Sequence, residues 1–557
     1  MNILGISCYY HESAASLIVD GRIVAASAEE RFSRIKHDSA FPECAISCCL
    51  QQAGLKKNDL DYVVFYEKPL IKFERLVTMA ISEYPYARTQ FASGMRNSMS
   101  RNLWIQSRII DALGISKDRI LFVPQHVSHA AASYYPSPFA RAAYLTLDAV
   151  GEWSTGSWGT AKENIVLPRK ELRFPNSIGL LYSAFTAYLG FEVNDGEFKV
   201  MGMAAFGRPI HVKRIGRLYK QYADGSIVLD ESYIAFHRSA THMYTHKFES
   251  LFADCSKYDL AASIQKVTEE VILTMLRYIH KETREKNIVF GGGVALNSVV
   301  NGLITKKTGF NRVFIFPAAG DDGASAGAAL YAYHHVLGNK KRYPLEHMFL
   351  GYAPRIKDIL SSVKSHALRQ KRLADRKLIS YIAKELSKGK IVGWYEGRAE
   401  FGPRALGHRS ILADPRNSKM KDIVNASIKF REEFRPFAPA ILSKYVSKYF
   451  SVTSSDIAPF MLGTFTAKTI ARKHAPAIVH DDGTSRIQIV DAKTYQGRYA
   501  GLLTAFYKRT GVPVLLNTSF NLKGEPIVNT PQDAIKTFLR SGLDILVLEN
   551  YVITKYT

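Results

Sequence analysis

Cysteine is scarce in this chain, long apolar runs are missing, and acidic residues fall well short of basic ones. Five cysteines in 557 residues (Cys8, Cys44, Cys48, Cys49, Cys255) show no zinc-ligand spacing, and their odd number speaks against a disulfide framework. Cys48 and Cys49 lie in the apolar helical pattern Cys44–Leu50 and read as core thiols. No uninterrupted apolar run approaches the ~18–20 residues of a membrane span, which excludes a spanning helix. Met1-Asn-Ile-Leu-Gly-Ile reads as a strand without a basic segment before it, so no signal peptide is expected and the expected location is cytoplasmic. Low-complexity stretches and polylysine or arginine-rich tails are absent too.

Asp and Glu number 50 against 74 Lys and Arg, a formal charge of +24. That excess implies an acidic partner or substrate: a nucleotide, a phosphorylated sugar, an anionic glycolipid or nucleic acid. The cations are spread along the chain, so charge by itself does not choose among these. With 47% hydrophobic residues the composition is that of an ordinary folded protein. The length exceeds one core and predicts about two to four domains.

What the chain does have is basic sequence with a shape. Trp394–Ser410 sets Arg398, Arg404 and Arg409 among three glycines and a proline, a composition poor for a helix and suited to an anion-binding loop. Lys429-Phe-Arg431-Glu-Glu-Phe-Arg435-Pro-Phe follows. Downstream, Asn517-Thr-Ser519-Phe-Asn521 puts short polar side chains at the end of the apolar strand Val514–Leu516. Cations on rigid turns, joined by hydroxyl and amide groups, suit a triphosphate or acyl phosphate. A solvated charged face is the alternative, but such faces are Lys/Glu mixtures on helices, without these Gly, Pro and Phe residues.

The N-terminus predicts strand Asn2–Ser7, a polar turn at His11-Glu-Ser13, strand Ala15–Val19, the turn Asp20-Gly21 and strand Arg22–Ala28. A related strand, polar loop and hairpin recurs from Ala142 to Ala161, which suggests an internal duplication. Asn287–Asn297 reads as a strand, a glycine turn at Gly292 and a helix start at Asn297, where backbone can approach a nucleotide. The small residues of Pro317–Ala329 let a helix pack tightly beneath such a site. Gly338–Pro344 is basic and begins an interdomain connection, and a buried strand at Ile391–Trp394 opens the second domain. The expected boundaries are 1–345, a connection over 346–375, and 376–557.

His126, His129, Asp148, Asp321 and Asp322 are the metal candidates, since carboxylates at strand ends are common ligands and His adds affinity for Fe(II), Zn or Mn. For any one of them a helix-capping Asp or a hydrogen-bonded core His is the alternative.

These motifs carry a resemblance over nearly the whole chain. Glu400–Gly407, Arg409-Ser-Ile411, Lys429-x-Arg431, Arg435–Pro439, Asn517–Asn521 and Gly524-Glu-Pro526 resemble the NodU/CmcH-type O-carbamoyltransferases. The resemblance implies an α/β protein. Its N-terminal domain is a duplicated RNase H-like domain of sugar kinase/Hsp70/actin type, and its C-terminal domain is YrdC-like and forms carbamoyladenylate. In YrdC-like domains a Lys-x-Arg pair and a Ser-x-Asn pair hold nucleotide and carbamoyl group, and Lys429, Arg431, Ser519 and Asn521 stand at those positions. The N-terminal half resembles the tRNA threonylcarbamoyl-transferase domain, whose H-x-x-x-H and two aspartates bind metal. Here Gln125 replaces the outer histidine, so His129, Asp148 and Asp321 carry over. Either His126 turns in as the further ligand, or water completes a three-residue site. His11 matches a histidine near the acceptor and is the candidate general base. Glu197 and Lys199 also fit the family, as groups that orient nucleotide.

The implied reaction uses ATP with Mg²⁺ and carbamoyl phosphate as co-substrates, with Fe(II) or another divalent metal in the N-terminal site. Arg404, Lys429, Arg431 and Arg435 neutralise phosphates, with Arg398, Arg409 and Asn517 nearby, while Ser519 and Asn521 orient the carbamoyl group. The group then passes to a hydroxyl of a sugar, glycolipid or natural product. Nucleic acid is disfavoured as a partner, peripheral contact with an anionic glycolipid is left open, and a homodimer is the default. The competing readings are tRNA threonylcarbamoylation and a nucleotide-binding regulator with a degenerate first site.

Overall fold

The computed structural model describes the chain except residues 240, 365–367, 433, 454–455, 496 and 556–557. It divides into two compact units, one of residues 1–29 and 39–346, the other of 30–38 and 347–557. Both mix helices and strands, and no helix of the described residues is long and apolar enough to cross a membrane.

The first unit is built twice. Strands β1 (Asn2–Ser7), β2 (Ala14–Val19) and β3 (Arg22–Ala28) form an antiparallel meander, and β4 (Tyr62–Phe65) and β5 (Ile120–Phe122) add parallel to β1, giving the order β3-β2-β1-β4-β5. The meander of β6 (Arg141–Leu147), β7 (Ser154–Lys162) and β8 (Ile165–Arg173) repeats this, and β11 (Asn287–Gly291) and β12 (Arg312–Ile315) again add parallel, in the order β12-β11-β6-β7-β8. The intervening β9 (Tyr219–Gln221) and β10 (Ile227–Leu229) form a separate hairpin. The predicted duplication is therefore present strand for strand, and it is the doubled RNase H-like arrangement. The Asp20-Gly21 turn joins β2 to β3 with φ of 48° and 83°, the two positive values a two-residue hairpin of this type needs.

Helix Asp321–Tyr331 runs against helix Gln125–Tyr134. A Cβ at Gly327 would lie 1.8 Å from the Ser128 carbonyl oxygen, so only glycine permits the approach. This contact brings the start of one helix, with Asp321, beside the first turns of the other, with His129.

The second unit holds a mixed eight-stranded sheet among its described residues. It contains β13 (Arg369–Arg372), β14 (Val392–Tyr395), β15 (Arg409–Ala413), β16 (Ala438–Leu442), β20 (Gln488–Val490), β21 (Val514–Ser519), β22 (Ile545–Leu548) and β23 (Tyr551–Thr554). Their order is β13-β23-β22-β14-β15-β21-β16-β20. A smaller sheet comprises β17 (Phe450–Ser451), β18 (Thr464–Ala467) and β19 (Thr484–Arg486). Part of the stretch expected as a connection is structured here: helix Ile356–Lys364 belongs to this unit, and β13 pairs with β23 as an edge strand. Its four residues are all exposed, which is why an Arg-Gln-Lys-Arg edge looks like linker in sequence.

Candidate functional site

In the first unit Asp148 follows β6, with its backbone N–H bonded to the Thr155 carbonyl at 3.0 Å. Its carboxylate converges with His129 and Asp321: one ligand atom from each lies within 4.8 Å of the others. Nε2 of His129 is 3.0 Å from Asp148 Oδ2 and 3.4 Å from Asp321 Oδ1, yet this buried nitrogen is aligned as a hydrogen bond with neither. A buried polar atom facing two carboxylates without a hydrogen bond fits a ligand of a divalent cation, and the His/Asp/Asp donor set suits a first-row metal. Without a cation, burial lowers the His129 pKa, but the two aspartates outweigh it and hold the imidazole up at about 10. Burial raises the Asp148 carboxyl, but His129, His126 and the Ala149 N–H together leave it below the usual carboxylate range.

Gln125 occupies the fourth side of this cluster, one helical turn before His129. Its Nε2 donates to Asp321 Oδ1 at 2.7 Å, while Oε1 is buried and has no hydrogen-bond partner among the described residues. A bare carboxylate pair demands the amide nitrogen; a cation between them would favour the flipped amide, with Oε1 facing it. His126 does not join the set. Its Nδ1 pairs with Thr146 Oγ1 at 2.9 Å and its Nε2 with the Ser154 carbonyl at 3.0 Å, so both ring nitrogens are engaged against β6 and β7. With both His126 nitrogens engaged there, the side chains that converge are His129, Asp148 and Asp321.

The hairpin turn bearing His11 reaches the same helix start, where Glu12 Oε2 accepts from the Asp322 N–H at 3.4 Å. Gly292 has φ 84°, and a Cβ there would meet the Leu147 carbonyl at 2.2 Å, so the glycine turn lies directly against the end of β6. Asn297 is not directed at a ligand: it caps helix Ser298–Lys307 through the Val300 N–H and exchanges bonds with Gln265. Glu197 accepts from Ser183 Oγ at 2.7 Å and the Asn194 N–H at 3.0 Å, and Lys199 pairs with Asp195 at 3.3 Å, local bonds that hold their own helix start.

In the second unit Lys429 is 3% exposed. Its Nζ reaches Ser519 through the backbone carbonyl and Oγ, and Asn521 through Oδ1 at 2.7 Å and the carbonyl at 3.1 Å. Ser519 Oγ donates to Asn521 Oδ1 at 2.7 Å, and Asn521 Nδ2 to the Glu525 carbonyl. Ser519 ends β21 opposite Ser410 of β15, so the sheet register itself delivers it beside the basic loop. Burial, with Arg431 and Arg435 alongside, pushes the Lys429 ammonium well below its ordinary value.

Further arginines lie in the same region. Burial, then Arg435, lower Arg404 to about 10 and Arg431 to about 9, values that leave both cationic at neutral pH. Nε of Arg404 and Nη2 of Arg431 are buried without a hydrogen-bond partner among the described residues. Arg431 Nε is held by Asn425 Oδ1 at 2.8 Å with its guanidinium over the Phe437 ring, and Glu432 lies 3.5 Å from Arg435. Like charges gathered with unused donors are the arrangement a polyanion would complete.

The carbamoyltransferase N-terminus family model matches residues 2–330, and the carbamoyltransferase C-terminus model matches residues 383–555. The chain belongs to the carbamoyltransferase family. It is an enzyme that transfers a carbamoyl group. An uncharacterized protein of Synechocystis sp. is 41% identical over the whole of this chain and 97% of its own length. Nodulation protein NolNO of Sinorhizobium fredii is 35% identical over 99% of this chain and 80% of its own length. Nodulation protein U of the same organism is 27% identical over 94% of each.

Within this carbamoyltransferase, some cations of the basic motif serve as internal scaffolding. Arg409 does not reach the cluster: it is fully buried over the Tyr395 ring and donates to the carbonyls of Glu396, Gly397, His408 and Tyr352. Arg398 bonds the Leu350 and Gly351 carbonyls, and Asn517 is buried between strands with Nδ2 on Gln488. The Glu400 carboxylate gathers the N–H groups of Leu406, His408 and Arg409, which closes the loop on itself. Arg409→Lys should cost about 2–4 kcal/mol, because an ammonium offers fewer, unforked donors and leaves a buried carbonyl unpaired. A urea midpoint equal to wild type would show that the fork is dispensable.

Sequence reasoning missed Arg486. It ends β19 between fully buried Ser485 and Ile487, and its guanidinium is pushed well below the ordinary value by burial and then by Arg404, Arg431 and Arg435. Its Nε is buried without a hydrogen-bond partner among the described residues. The available signal was an arginine flanked by core residues in a short strand-like run, with no acidic neighbour beside it.

Proposed function

We propose that the enzyme is an ATP-dependent O-carbamoyltransferase that works in two half-reactions. In the second unit water hydrolyses carbamoyl phosphate to carbamate and phosphate. A carbamate oxygen then attacks the ATP α-phosphorus, the bond to the β-phosphate bridging oxygen breaks, and carbamoyladenylate and pyrophosphate result. Lys429, Arg404, Arg431, Arg435 and Arg486 bind and neutralise the phosphates, with Mg²⁺ arriving on ATP. Ser519 and Asn521 orient the carbamoyl group. In the second half-reaction an acceptor hydroxyl attacks the carbamoyl carbon and AMP leaves. His11 takes the hydroxyl proton. His129, Asp148 and Asp321 would hold a divalent metal, whose Lewis acidity polarises the reacting oxygen when bound.

The observation that carries this reading is the cluster of one buried lysine and four arginines, joined to a Ser-x-Asn pair, with buried donors of Arg404, Arg431 and Arg486 unpartnered among the described residues. Such a site is costly to fold unless it binds a polyanion. The acceptor is a cytoplasmic sugar, glycolipid or natural product. An amphiphilic acceptor is supported by the exposed Leu70, Ile81, Tyr84, Tyr86 and Trp104 interspersed with exposed Arg88, Arg96 and Arg101. The test is pyrophosphate release and a gain of one carbamoyl group by mass spectrometry on sugar and glycolipid acceptors. Both are expected to require ATP and carbamoyl phosphate together, and product formed without ATP would remove the adenylate step.

A further inference from the structure

His237 is 1% exposed, and neither of its ring nitrogens has a hydrogen-bond partner among the described residues. Burying an imidazole in that condition is costly, because both its donor and its acceptor have been taken from water without replacement. Two carboxylates stand before it. Nε2 lies 3.7 Å from Glu83 Oε2 and 3.9 Å from Glu231 Oε2, too far for a hydrogen bond to either. The three ligand atoms all fall within 4.8 Å of one another.

Those separations have a simple meaning for a shared ion. Tetrahedral ligands about 2.0–2.1 Å from a metal stand roughly 3.4 Å apart, so the set needs to contract by only a few tenths of an ångström around Nε2. The three residues come from two well-separated parts of the first unit. Glu83 follows the last turn of helix Pro69–Ser82, whereas Glu231 and His237 lie in the segment after β10. Gln90, on helix Arg88–Ser100, already bonds the carbonyl of Phe236, the residue before His237, at 3.0 Å. The backbones on both sides are thus held at this distance by contacts outside the cluster.

We propose that Glu83, Glu231 and His237 form a second metal site, distinct from the His129–Asp148–Asp321 set, that binds a divalent first-row transition ion of the zinc class. One imidazole and two carboxylates suit Zn²⁺ or Co²⁺, whereas Mg²⁺ and Ca²⁺ take oxygen ligands. Such an ion would clamp the end of helix Pro69–Ser82 to the 231–237 segment, leaving one coordination position to water.

The test uses the full chain after dialysis against chelator, titrated with Co²⁺ and followed by its visible absorption. In an Asp148→Asn background, which disables the other set, one Co²⁺ per chain is expected to remain, displaced by Zn²⁺ and not by Mg²⁺. Adding Glu231→Gln, at a half-exposed position where folding is not at stake, is expected to weaken that uptake at least tenfold, and His237→Gln to abolish it. Uptake that is absent in the Asp148→Asn protein, or indifferent to Glu231→Gln, would overturn the site. Wild type and Asp148→Asn binding the same single ion would count against the first set and leave this one standing.

Discussion

Lys429→Ala is expected to abolish carbamoyl-phosphate-dependent exchange between ATP and pyrophosphate, lowering its rate by at least about 10³-fold, while His129→Ala retains it. The lysine is buried and its ammonium binds both Ser519 and Asn521, so its loss takes a donor from those acceptors as well as removing a cation from the proposed phosphate site. His129 lies in the other unit, beside Asp148 and Asp321, so its removal should stop acceptor carbamoylation alone. If His129→Ala removes exchange as completely as Lys429→Ala does, the assignment of separate half-reactions is wrong. The same lysine predicts a pH dependence. Its folded pKa lies below the ordinary lysine value, so between the two values the folded state holds fewer protons than the unfolded one. Its contribution to stability is full above the ordinary value and is lost as pH falls through the folded value. A bound polyanion favours the ammonium, so binding takes up a proton, and nucleotide affinity should decline as pH rises through the lowered pKa. Calorimetry in buffers of different ionisation enthalpy reads that proton directly.

Gln125→His is expected to tighten metal binding at His129, Asp148 and Asp321 by about 10- to 100-fold and to raise metal content after dialysis. Position 125 already faces Asp321, so an imidazole there would replace a neutral amide with a stronger donor. Its carbamoyl-transfer rate at limiting metal should rise with occupancy. His126→Ala should leave occupancy unchanged, since both its ring nitrogens are spent on Thr146 and Ser154. Equal metal content in wild type and Gln125→His would mean that the cluster does not hold the ion.

Much of this was readable in one dimension because its causes are local. An Asp-Gly between two apolar runs makes the β2–β3 turn, since its backbone angles are fixed by those two residues. The stretch of small residues after Asp321 predicted a helix that something must approach closely, and Gly327 against Ser128 is that approach. The motifs point to Lys429, Ser519 and Asn521, and the strand register of β15 and β21 places Ser519 where Lys429 reaches it. Other decisions belong to the tertiary structure. On a helix turning ~100° per residue, positions 125 and 126 lie on either side of 129, and the packing of helix Asp321–Tyr331 selects Gln125. Arg398, Arg404 and Arg409 look alike in the loop, yet Arg409 is enclosed by its own turn while the distant Arg486 joins the cluster. Sequence by itself determined which chemical groups and local turns this protein has. The packing of strands and helices decided which charges are neutralised inside the scaffold and which are left for a ligand, because burial and hydrogen-bond partners are properties of neighbours distant in the chain.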